Sequence, residues 1–225
     1  MRYLASAVLR PRGKINFIKK LPFGAKVLDV GCGNNSPYVT KALRPDLYYV
    51  GLDIGDYNQQ DDSLKSADQY IVTKPNDFVK EIQGLKGQFD ALISAHNLEH
   101  CLAPEDVLIA MLRSLKEGGL LFLSFPCEAS VHFPKRAGTL NFYDDATHLA
   151  LPNYNKILKM ISQEGFDIQF CTPGYRPFFL SLTGFLLEPL SALTKRVVRP
   201  LGVTWAFYGF ESIIWAQRRQ DILLK

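Results

Sequence analysis

Two groups of residues in this chain have types and spacings that suit chemistry. In the first group, Asp29, Gly31 and Gly33 stand at alternate positions, and Asp53 follows Gly33 by 20 residues. Glycines allow the backbone to turn sharply and to approach a ligand with no side chain in between. An acidic residue about 20 positions further on is typical of a site that binds the hydroxyl groups of a ribose. The pattern therefore predicts a nucleotide cofactor.

The second group is the histidines, which all fall in one stretch of the chain: His96, His100, His132 and His148. Imidazole titrates near neutral pH, so a histidine can take the proton from an acceptor hydroxyl. We expect His148 to be this general base and His100 to be a further catalytic residue. Asp144 or Asp145 would orient His148 or bind sugar hydroxyls. The competing interpretation is that His148 only caps or packs against the helix that follows it.

A metal-binding alternative uses some of the same side chains. His96, Glu99 and His100 have the i, i+3, i+4 spacing that places side chains on one face of a helical turn. Together with His148 or His132 they would offer nitrogen and oxygen ligands to a divalent ion. In the other interpretation, Glu99 and His100 form an ordinary motif after a strand. We expect a site without metal and keep the divalent ion as the alternative.

Strand and helix patterns alternate along the chain, which predicts a mostly parallel sheet with helices on both faces. Strands are predicted at 27–30, 47–54, 69–73, 89–94, 120–125, 166–172 and 211–218. Helices are predicted up to residue 9, at 15–21, from 36 onward, and at 75–83, 104–116 and 153–164. Ser36, which precedes Pro37, and Asn153 are the predicted N-caps of their helices. Gly118 and Gly119 are predicted to end the helix at 104–116. Such sheets bind ligands beyond the carboxyl ends of their strands, so the glycines and the histidines should meet at one edge.

Four motifs occur in the order in which class I S-adenosylmethionine-dependent methyltransferases carry them, and the chain resembles that family. They are 29–33 with Asp53, 89–100, 115–124 and 165–167. A dinucleotide fingerprint would need a glycine at Ser36, which disfavours NAD. The resemblance implies a Rossmann-like, mostly parallel sheet of seven strands with helices on both faces, in which the last strand, 211–218, is antiparallel.

The resemblance also implies which residues bind S-adenosylmethionine. They are Asp29, Gly31 and Gly33 for the methionine part, Asp53 for the ribose hydroxyls, Ile54, Asn76 and Asp77 for the adenine, and Ser94, Ala95 and His96 for the sulfonium end. The expected reaction is methylation of a hydroxyl on a small molecule or sugar, as in glycan or glycolipid synthesis. The alternatives are a non-catalytic cofactor-binding or partner protein on the same fold and, third, an NAD-dependent oxidoreductase.

Length and composition fit a single domain over residues 1–225. Three segments stand outside the alternation: a basic N-terminal arm at 1–26, an acceptor loop at 126–152 and an apolar insertion at 173–209 before the last strand. The arm would face an anionic surface or ligand, or form a solvated leader. The insertion would be a lid over the site, a dimer surface, core, or a helix lying in a membrane interface.

Several classes of protein are excluded by the composition. The four cysteines show no Cys-x-x-Cys spacing, which predicts reduced thiols in the cytosol rather than zinc ligands or disulfides. Residues 4–9 are too short for a signal-peptide core, and no run reaches the ~20 apolar residues of a membrane-spanning helix. No basic stripe with interleaved aromatic residues appears outside the termini, so nucleic-acid binding is not expected. The expectation is a cytoplasmic enzyme with a small-molecule or glycan acceptor, whose apolar insertion can contact the inner membrane surface.

Overall fold

The computed structural model describes residues 11–198 and 202–220 of the chain. The helix predicted up to residue 9 lies outside these residues, as do Arg2 and Arg10 of the basic arm. Within the described residues, strands and helices alternate from residue 26 to residue 172, as the sequence pattern predicted.

The described strands form one sheet of seven. They are β1 Lys26–Val30, β2 Tyr48–Asp53, β3 Gln69–Val72, β4 Phe89–Ala95, β5 Leu115–Pro126, β6 Phe166–Thr172 and β7 Glu211–Arg218. Their order across the sheet is β3-β2-β1-β4-β5-β7-β6. β7 runs antiparallel to both of its neighbours, and every other adjacent pair is parallel. The predicted Rossmann-like sheet with an antiparallel last strand is therefore confirmed.

The helices lie between these strands. They are α1 Lys14–Ile18, α2 Ser36–Leu43, α3 Asp61–Ser66, α4 Phe78–Gly84, α5 Pro104–Ser114, α6 Tyr154–Gln163, α7 Phe178–Thr194 and α8 Val203–Tyr208, with short 3-10 helices at Pro75–Asp77, Leu98–His100, Glu128–His132 and Phe142–Asp144. The segment predicted as an acceptor loop thus contains the last two 3-10 helices. The apolar insertion contains α7 and α8.

Helices cover the sheet on both faces because each face carries its own apolar cluster. On one face, Ile82 of α4, Met111 of α5 and Ile161 of α6 are completely buried against strand residues. On the other face, Phe17 and Ile18 of α1 are buried in a second cluster. The strands between the two layers are therefore apolar on both sides, which is typical of parallel sheets.

The strand order reverses between β1 and β4, and this fixes the place of the ligand site. β1 has β2 on one side and β4 on the other, so the connections that leave these strands diverge and open a crevice at their carboxyl ends. Residues 31–33 follow β1 at this edge, and residues 96–100 follow β4. The glycines and two of the histidines meet here, as expected from the sequence.

The helix predicted at 15–21 ends at Ile18, and the helix predicted at 75–83 begins at Phe78 after the 3-10 helix Pro75–Asp77. Tertiary contacts explain two further boundaries that are wrong. The helix predicted at 104–116 ends at Ser114, because Leu115 is fully buried and pairs with Phe89 as the first residue of β5. Gly118 and Gly119 therefore lie within β5 instead of ending the helix. Ser36 is not an N-cap. It is the first residue of α2, Asn35 precedes it in the left-handed conformation, and the Ser36 hydroxyl donates a hydrogen bond to Asp29.

The cap predicted for α6 is confirmed. The side chain of Asn153 accepts a hydrogen bond from the backbone N–H of Lys156 at 2.8 Å. Asn153 is adjacent in sequence to the helix that it caps, so local chemistry was sufficient to identify it.

Replacement of Phe17 by alanine tests the docking of α1 on the sheet. Phe17 is 3% exposed, and its ring centroid lies 5.6 Å from that of Phe122 and 5.2 Å from that of Trp215. We expect Phe17→Ala to lower the free energy of unfolding by about 3–5 kcal/mol, measured by urea denaturation. Phe23→Ala is the control, because Phe23 is 91% exposed, and should change stability by less than about 0.5 kcal/mol. Similar values for the two variants would contradict a docked α1.

Candidate active site

The turn after β1 has the close backbone approach that its glycines predicted. Gly31 has a φ of 72°, and a Cβ at this position would lie 2.6 Å from the side chain of Asn97. At Gly33, a Cβ would lie 3.1 Å from the carbonyl oxygen of Tyr57. A side chain at Gly31 is excluded both by backbone conformation and by lack of space. The turn at residues 31–33, which we call the glycine cradle, therefore presents backbone without side chains at Gly31 and Gly33.

Asp29 is a fully buried carboxylate that ties three elements to β1. Its Oδ2 accepts hydrogen bonds from Lys14 Nζ at 2.9 Å, from Ser36 Oγ at 2.5 Å and from Tyr49 OH at 2.8 Å. Its Oδ1 is buried and has no partner among the described residues. One side of this carboxylate thus holds α1, α2 and β2 in place, and the other is left for a ligand.

Part of the basic arm contacts side chains of the protein itself. Lys14 bonds Asp29, as above. The guanidinium of Arg12 lies 5.2 Å from the ring centroid of Trp215, and Lys20 Nζ lies 5.1 Å from the same ring. Lys26 Nζ lies 4.8 Å from the ring centroid of Phe89. Sequence position alone could not show the contacts with Trp215 and Phe89, because these residues come from strands far along the chain.

The residues expected to bind the ribose and adenine lie along the same edge. Asp53 is the last residue of β2 and is 8% exposed. Burial raises the pKa of its carboxyl, although the backbone N–H groups of Ile54 and Gly33 act in the opposite direction. Ile54 is about half exposed, and Asn76 and Asp77 are exposed on the 3-10 helix that follows β3. Their roles toward the cofactor stay predictions.

At the end of β4, two further polar groups are buried without partners. Ser94 is completely buried, Ala95 is half-buried, and Asn97 is 9% exposed. Within the described part of the chain, neither Ser94 Oγ nor Asn97 Nδ2 makes a hydrogen bond. With Asp29 Oδ1, they are unused donors and acceptors toward the ends of β1 and β4, and the side chain of Asn97 adjoins Gly31. Buried polar groups normally have partners, so these atoms indicate a polar ligand.

His96 is held between two carboxylates. Its Nδ1 lies 3.0 Å from Glu99 Oε1 and its Nε2 lies 2.9 Å from Glu211 Oε1. Burial alone would lower the pKa of His96, but the hydrogen bonds to Glu211 and Glu99 outweigh it and raise the pKa to about 10. The ring also packs against Trp205 and Phe210. Both nitrogens are engaged, so the metal alternative that included His96 as a ligand is corrected.

A cavity of about 420 Å³ opens next to His96, between the acceptor loop and the apolar insertion. The loop contributes Asp145 and His148 to its wall, and the insertion contributes Trp205. Phe210, Glu99 and His100 also line it. The two segments that stood outside the strand–helix alternation therefore enclose one space with the end of β4.

His100 and His148 come together in this cavity, with ring centroids 4.9 Å apart. His148 Nδ1 lies 2.6 Å from the carbonyl oxygen of Phe142. His100 Nδ1 lies 3.2 Å from the carbonyl oxygen of Thr147. Because a carbonyl oxygen can only accept, Nδ1 carries the hydrogen in each ring and Nε2 has the free lone pair. The two predicted catalytic histidines thus each have a basic nitrogen available.

Asp144 and Asp145, which the sequence left as alternatives, have different surroundings. Asp144 Oδ2 accepts hydrogen bonds from the backbone N–H groups of Arg136, Leu140 and Asn141 at 2.8–3.1 Å. It therefore organises the loop instead of contacting His148. Asp145 Oδ2 lies 4.0 Å from His148 Nε2 and lines the cavity. Of the two alternatives, Asp145 is therefore the one that adjoins His148, and its role toward His148 or a sugar hydroxyl stays a prediction.

Sequence reasoning missed several residues that shape the site. Trp205 was assigned only to the insertion and Glu211 only to the last strand, and Phe210 lies between these two segments. The Asn141-x-x-Asp144 spacing is that of a capping box, which the 3-10 helix Phe142–Asp144 indeed has. That signal would have identified Asp144 as a structural residue. No comparable local signal exists for Glu211, which lies 115 residues from His96.

Comparisons with known proteins agree with this geometry. Residues 2–169 match the model of a family described as a methyltransferase domain. The ubiquinone biosynthesis O-methyltransferase of Pseudomonas putida is 27% identical over 174 residues, which are 76% of this chain and 68% of that protein. An uncharacterized protein of Methanocaldococcus jannaschii is 31% identical over 109 residues, 47% of this chain.

Among solved structures, phosphoethanolamine N-methyltransferase 2 of Haemonchus contortus in complex with S-adenosyl-L-methionine superposes with a TM-score of 0.60 at 16% identity. The match covers 97% of this chain and 53% of that one. The chain spans only 29% of the Methanocaldococcus jannaschii protein. The likeness to the Haemonchus contortus enzyme concerns the fold.

Replacement of Gly31 by alanine tests the glycine cradle. The left-handed conformation costs a residue with a Cβ about 1–2 kcal/mol, and the added carbon would collide with Asn97. We expect Gly31→Ala to weaken the binding of S-adenosylhomocysteine at least tenfold by calorimetry. Gly84→Ala at the end of α4 is the control, because a Cβ there meets nothing within 4 Å. Wild-type affinity in Gly31→Ala would show that the cofactor does not use this turn.

Proposed function

The chain belongs to the class I S-adenosylmethionine-dependent methyltransferases, and we propose that it methylates a hydroxyl oxygen of a small molecule or sugar. The observation that carries the proposal is the single cavity that joins the end of β4 to the two histidines with free Nε2 atoms. The P. putida relative is named an O-methyltransferase, which supports oxygen as the accepting atom.

The donor side of the crevice fits S-adenosylmethionine by its unused polar atoms and its bare backbone. Asp29 Oδ1 can accept from an ammonium group, and Asn97 Nδ2 can donate to a carboxylate. Asp53 would accept hydrogen bonds from the ribose hydroxyls. When bound, S-adenosylmethionine supplies an activated methyl group on a sulfonium sulfur. The protein's task is to hold the acceptor in line with that methyl group and to exclude water.

The acceptor side suits a ring that carries hydroxyl groups. Trp205 and Phe210 give the cavity an aromatic wall, with their ring centroids 4.7 Å apart. Asp145 and Glu99 also line the cavity and offer carboxylate oxygens. Aromatic rings pack against the apolar face of a sugar or phenol, while carboxylates accept hydrogen bonds from its hydroxyls. A sugar hydroxyl, as in a glycan or glycolipid precursor, is the acceptor that we favour.

Activation of the acceptor depends on His148 in this proposal. A hydroxyl is a weak nucleophile while it keeps its proton, so a basic group next to it accelerates the reaction about 10²–10⁴-fold. The Phe142 carbonyl holds the His148 ring with Nε2 free, and Asp145 lies on that side of the ring.

A nicotinamide-dependent oxidoreductase remains disfavoured. The third glycine of a dinucleotide fingerprint is replaced by Ser36, whose hydroxyl bonds the buried Asp29 at 2.5 Å. A non-catalytic protein on the same fold would bind S-adenosylhomocysteine and transfer no methyl group to any acceptor. Titration with S-adenosylhomocysteine and NAD, together with a methyl-transfer assay, separates the three functions.

Replacement of His148 tests the site. We expect His148→Gln to lower methyl transfer at least 100-fold while S-adenosylhomocysteine binds as in the wild type. Transfer is measured as S-adenosylhomocysteine release over a panel of sugar and phenol acceptors. His132→Gln is the matched control, because His132 is exposed and lies outside the cavity wall, and should keep full activity. Near-normal turnover of His148→Gln would reject the role of His148.

We further propose that α7 rests on an anionic membrane surface. Seven large apolar side chains of α7 are between 48% and 84% exposed. They are Phe178, Phe179, Leu182, Phe185, Leu186, Leu190 and Leu193. They form two consecutive pairs, 178–179 and 185–186, with the other steps three or four residues long, which places all of them on one stripe of the helix. Among the described helices, none has the length and apolar character needed to cross a membrane.

The charges around the stripe favour anionic lipid over a second protein surface. The only acidic residue of α7, Glu188, points inward and bonds Arg136 at 3.2 Å and Tyr208 at 2.7 Å. Lys195 and Arg196 follow the helix and are exposed. An apolar stripe with cations at its end and no exposed acid matches the interface of a bilayer that carries anionic headgroups.

The position of α7 links this surface to the acceptor cavity. Gly184 lets α7 approach α8 closely, because a Cβ there would collide with the carbonyl oxygen of Val203. α8 in turn contributes Trp205 to the cavity wall. An acceptor with a lipid tail could therefore enter from a membrane that α7 contacts.

Vesicle binding tests this contact. We expect the wild type to co-sediment with vesicles that contain phosphatidylglycerol, and Leu186→Asp to bind about tenfold more weakly, since burial of a leucine contributes at least ~1.5 kcal/mol. Phe23→Asp is the control: Phe23 is 91% exposed but lies outside α7, so it should bind as the wild type does. Absence of vesicle binding, or a wild-type dimer that Leu186→Asp dissociates, would overturn membrane contact.

A further inference from the structure

Three side chains of the cavity are arranged like the ligands of a metal ion. Glu99, His100 and His148 each offer one potential ligand atom, and these atoms lie within 4.8 Å of one another. Glu99 and His100 come from the 3-10 helix after β4, and His148 comes from the acceptor loop. The fold therefore assembles this group from two distant parts of the chain.

The hydrogen bonds of the two histidines leave the nitrogens that a metal needs. In each ring Nδ1 faces a backbone carbonyl oxygen, at 2.6 Å for His148 and 3.2 Å for His100. The hydroxyl of Thr147 donates to Asp145 Oδ1, so it too can only accept from His100 Nδ1, which lies 3.0 Å away. Metal-binding histidines commonly donate their second nitrogen to a carbonyl or carboxylate in this way. Such contacts fix the ring and the tautomer with Nε2 free.

Glu99 supplies an oxygen that lacks a partner. The residue is completely buried, and its Oε1 contacts His96. Its Oε2 makes no hydrogen bond to any part of the chain that the structure describes. Burial of a carboxylate oxygen without a donor is unfavourable. A cation bound by Glu99 and the two imidazoles would provide the missing partner.

We propose that Glu99, His100 and His148 bind one divalent transition-metal ion, with Zn²⁺ as the best fit. Two imidazole nitrogens and one carboxylate oxygen are a set that zinc accepts in catalytic sites, leaving a fourth position open. Mg²⁺ prefers oxygen ligands and octahedral geometry, so it fits poorly. Neighbouring ligands of a tetrahedral zinc site are about 3.4 Å apart. Because the three atoms lie within 4.8 Å of one another, the group needs a contraction of at most about 1.4 Å to reach that spacing.

This site rests on the proposed function and specifies how His148 takes part in it. The open position of the ion would hold the acceptor's oxygen and lower the pKa of its hydroxyl. The proton then passes to the carboxylate of Asp145 and on to water. The oxygen forms a bond to the methyl carbon as the carbon–sulfur bond breaks, and that electron pair returns to sulfur to give neutral S-adenosylhomocysteine. His148 is then a ligand rather than the group that takes the proton.

Metal binding is tested on the chelator-stripped full-length protein with Zn²⁺ and Co²⁺. We expect one Zn²⁺ per chain by calorimetry, and visible absorption bands of four- or five-coordinate cobalt on addition of Co²⁺. His148→Gln and His100→Gln should each weaken binding at least tenfold, as loss of a ligand does. His132→Gln should bind as the wild type does, and Mg²⁺ should not compete. Binding of S-adenosylhomocysteine should be the same with and without metal, which reports that the fold is intact.

The outcomes separate this proposal from the proposed function. If the wild type binds no Zn²⁺ or Co²⁺, or if His148→Gln binds them equally well, the metal site is wrong. Should methyl transfer to a hydroxyl persist in a chelator, the proposed function stands and His148 acts as the base. Conversely, stoichiometric metal binding without transfer to any acceptor would retain the site and overturn the hydroxyl methyltransferase. Loss of transfer in a chelator and its recovery with Zn²⁺ would support both.

Discussion

The clamp of His96 between Glu99 and Glu211 is the interaction on which the arrangement of the site depends. Glu99 belongs to the 3-10 helix after β4 and lines the acceptor cavity, whereas Glu211 begins β7. An imidazole that lies 3.0 and 2.9 Å from two carboxylates, with a pKa raised to about 10, is protonated at neutral pH and bonded at both nitrogens. Removing one partner from such a buried charge network leaves the others uncompensated. The clamp therefore holds the end of β7 and the aromatic wall of Trp205 and Phe210 against the end of β4.

Asp29 has the same supporting role on the donor side of the crevice. One carboxylate oxygen receives three donors, from α1, from the first residue of α2 and from β2. The glycine turn starts two residues later, so its path is fixed by a buried polar hub rather than by apolar packing alone. A hydrogen bond to a charged group contributes more than one between neutral groups. Both halves of the site are thus supported by buried carboxylates, each of which has a second oxygen without a partner.

Much of the fold was predictable because its determinants are local or periodic. The alternation of apolar runs and helical patterns identified the seven strands, and β6 and β7 have the predicted bounds. Asn153 was recognised as a cap because it acts within one helical turn. Two of the errors arose where a tertiary contact prevailed over local propensity. Leu115 was predicted to be helical but pairs with Phe89 in the sheet. Ser36 was predicted to cap α2 but donates its hydroxyl hydrogen to Asp29.

The sequence by itself determined the donor side of this protein: a strand, a turn that only glycine can make, and an acid on the next strand, all within 30 residues of each other. Tertiary structure decided the acceptor side. Only the folded chain shows that Asp145 rather than Asp144 adjoins His148, that His96 is occupied by Glu211, and that Glu99, His100 and His148 converge. The physical reason is that the direction of a side chain and the occupancy of its polar atoms depend on partners brought from far along the chain. Spacing along the sequence carries no record of those partners.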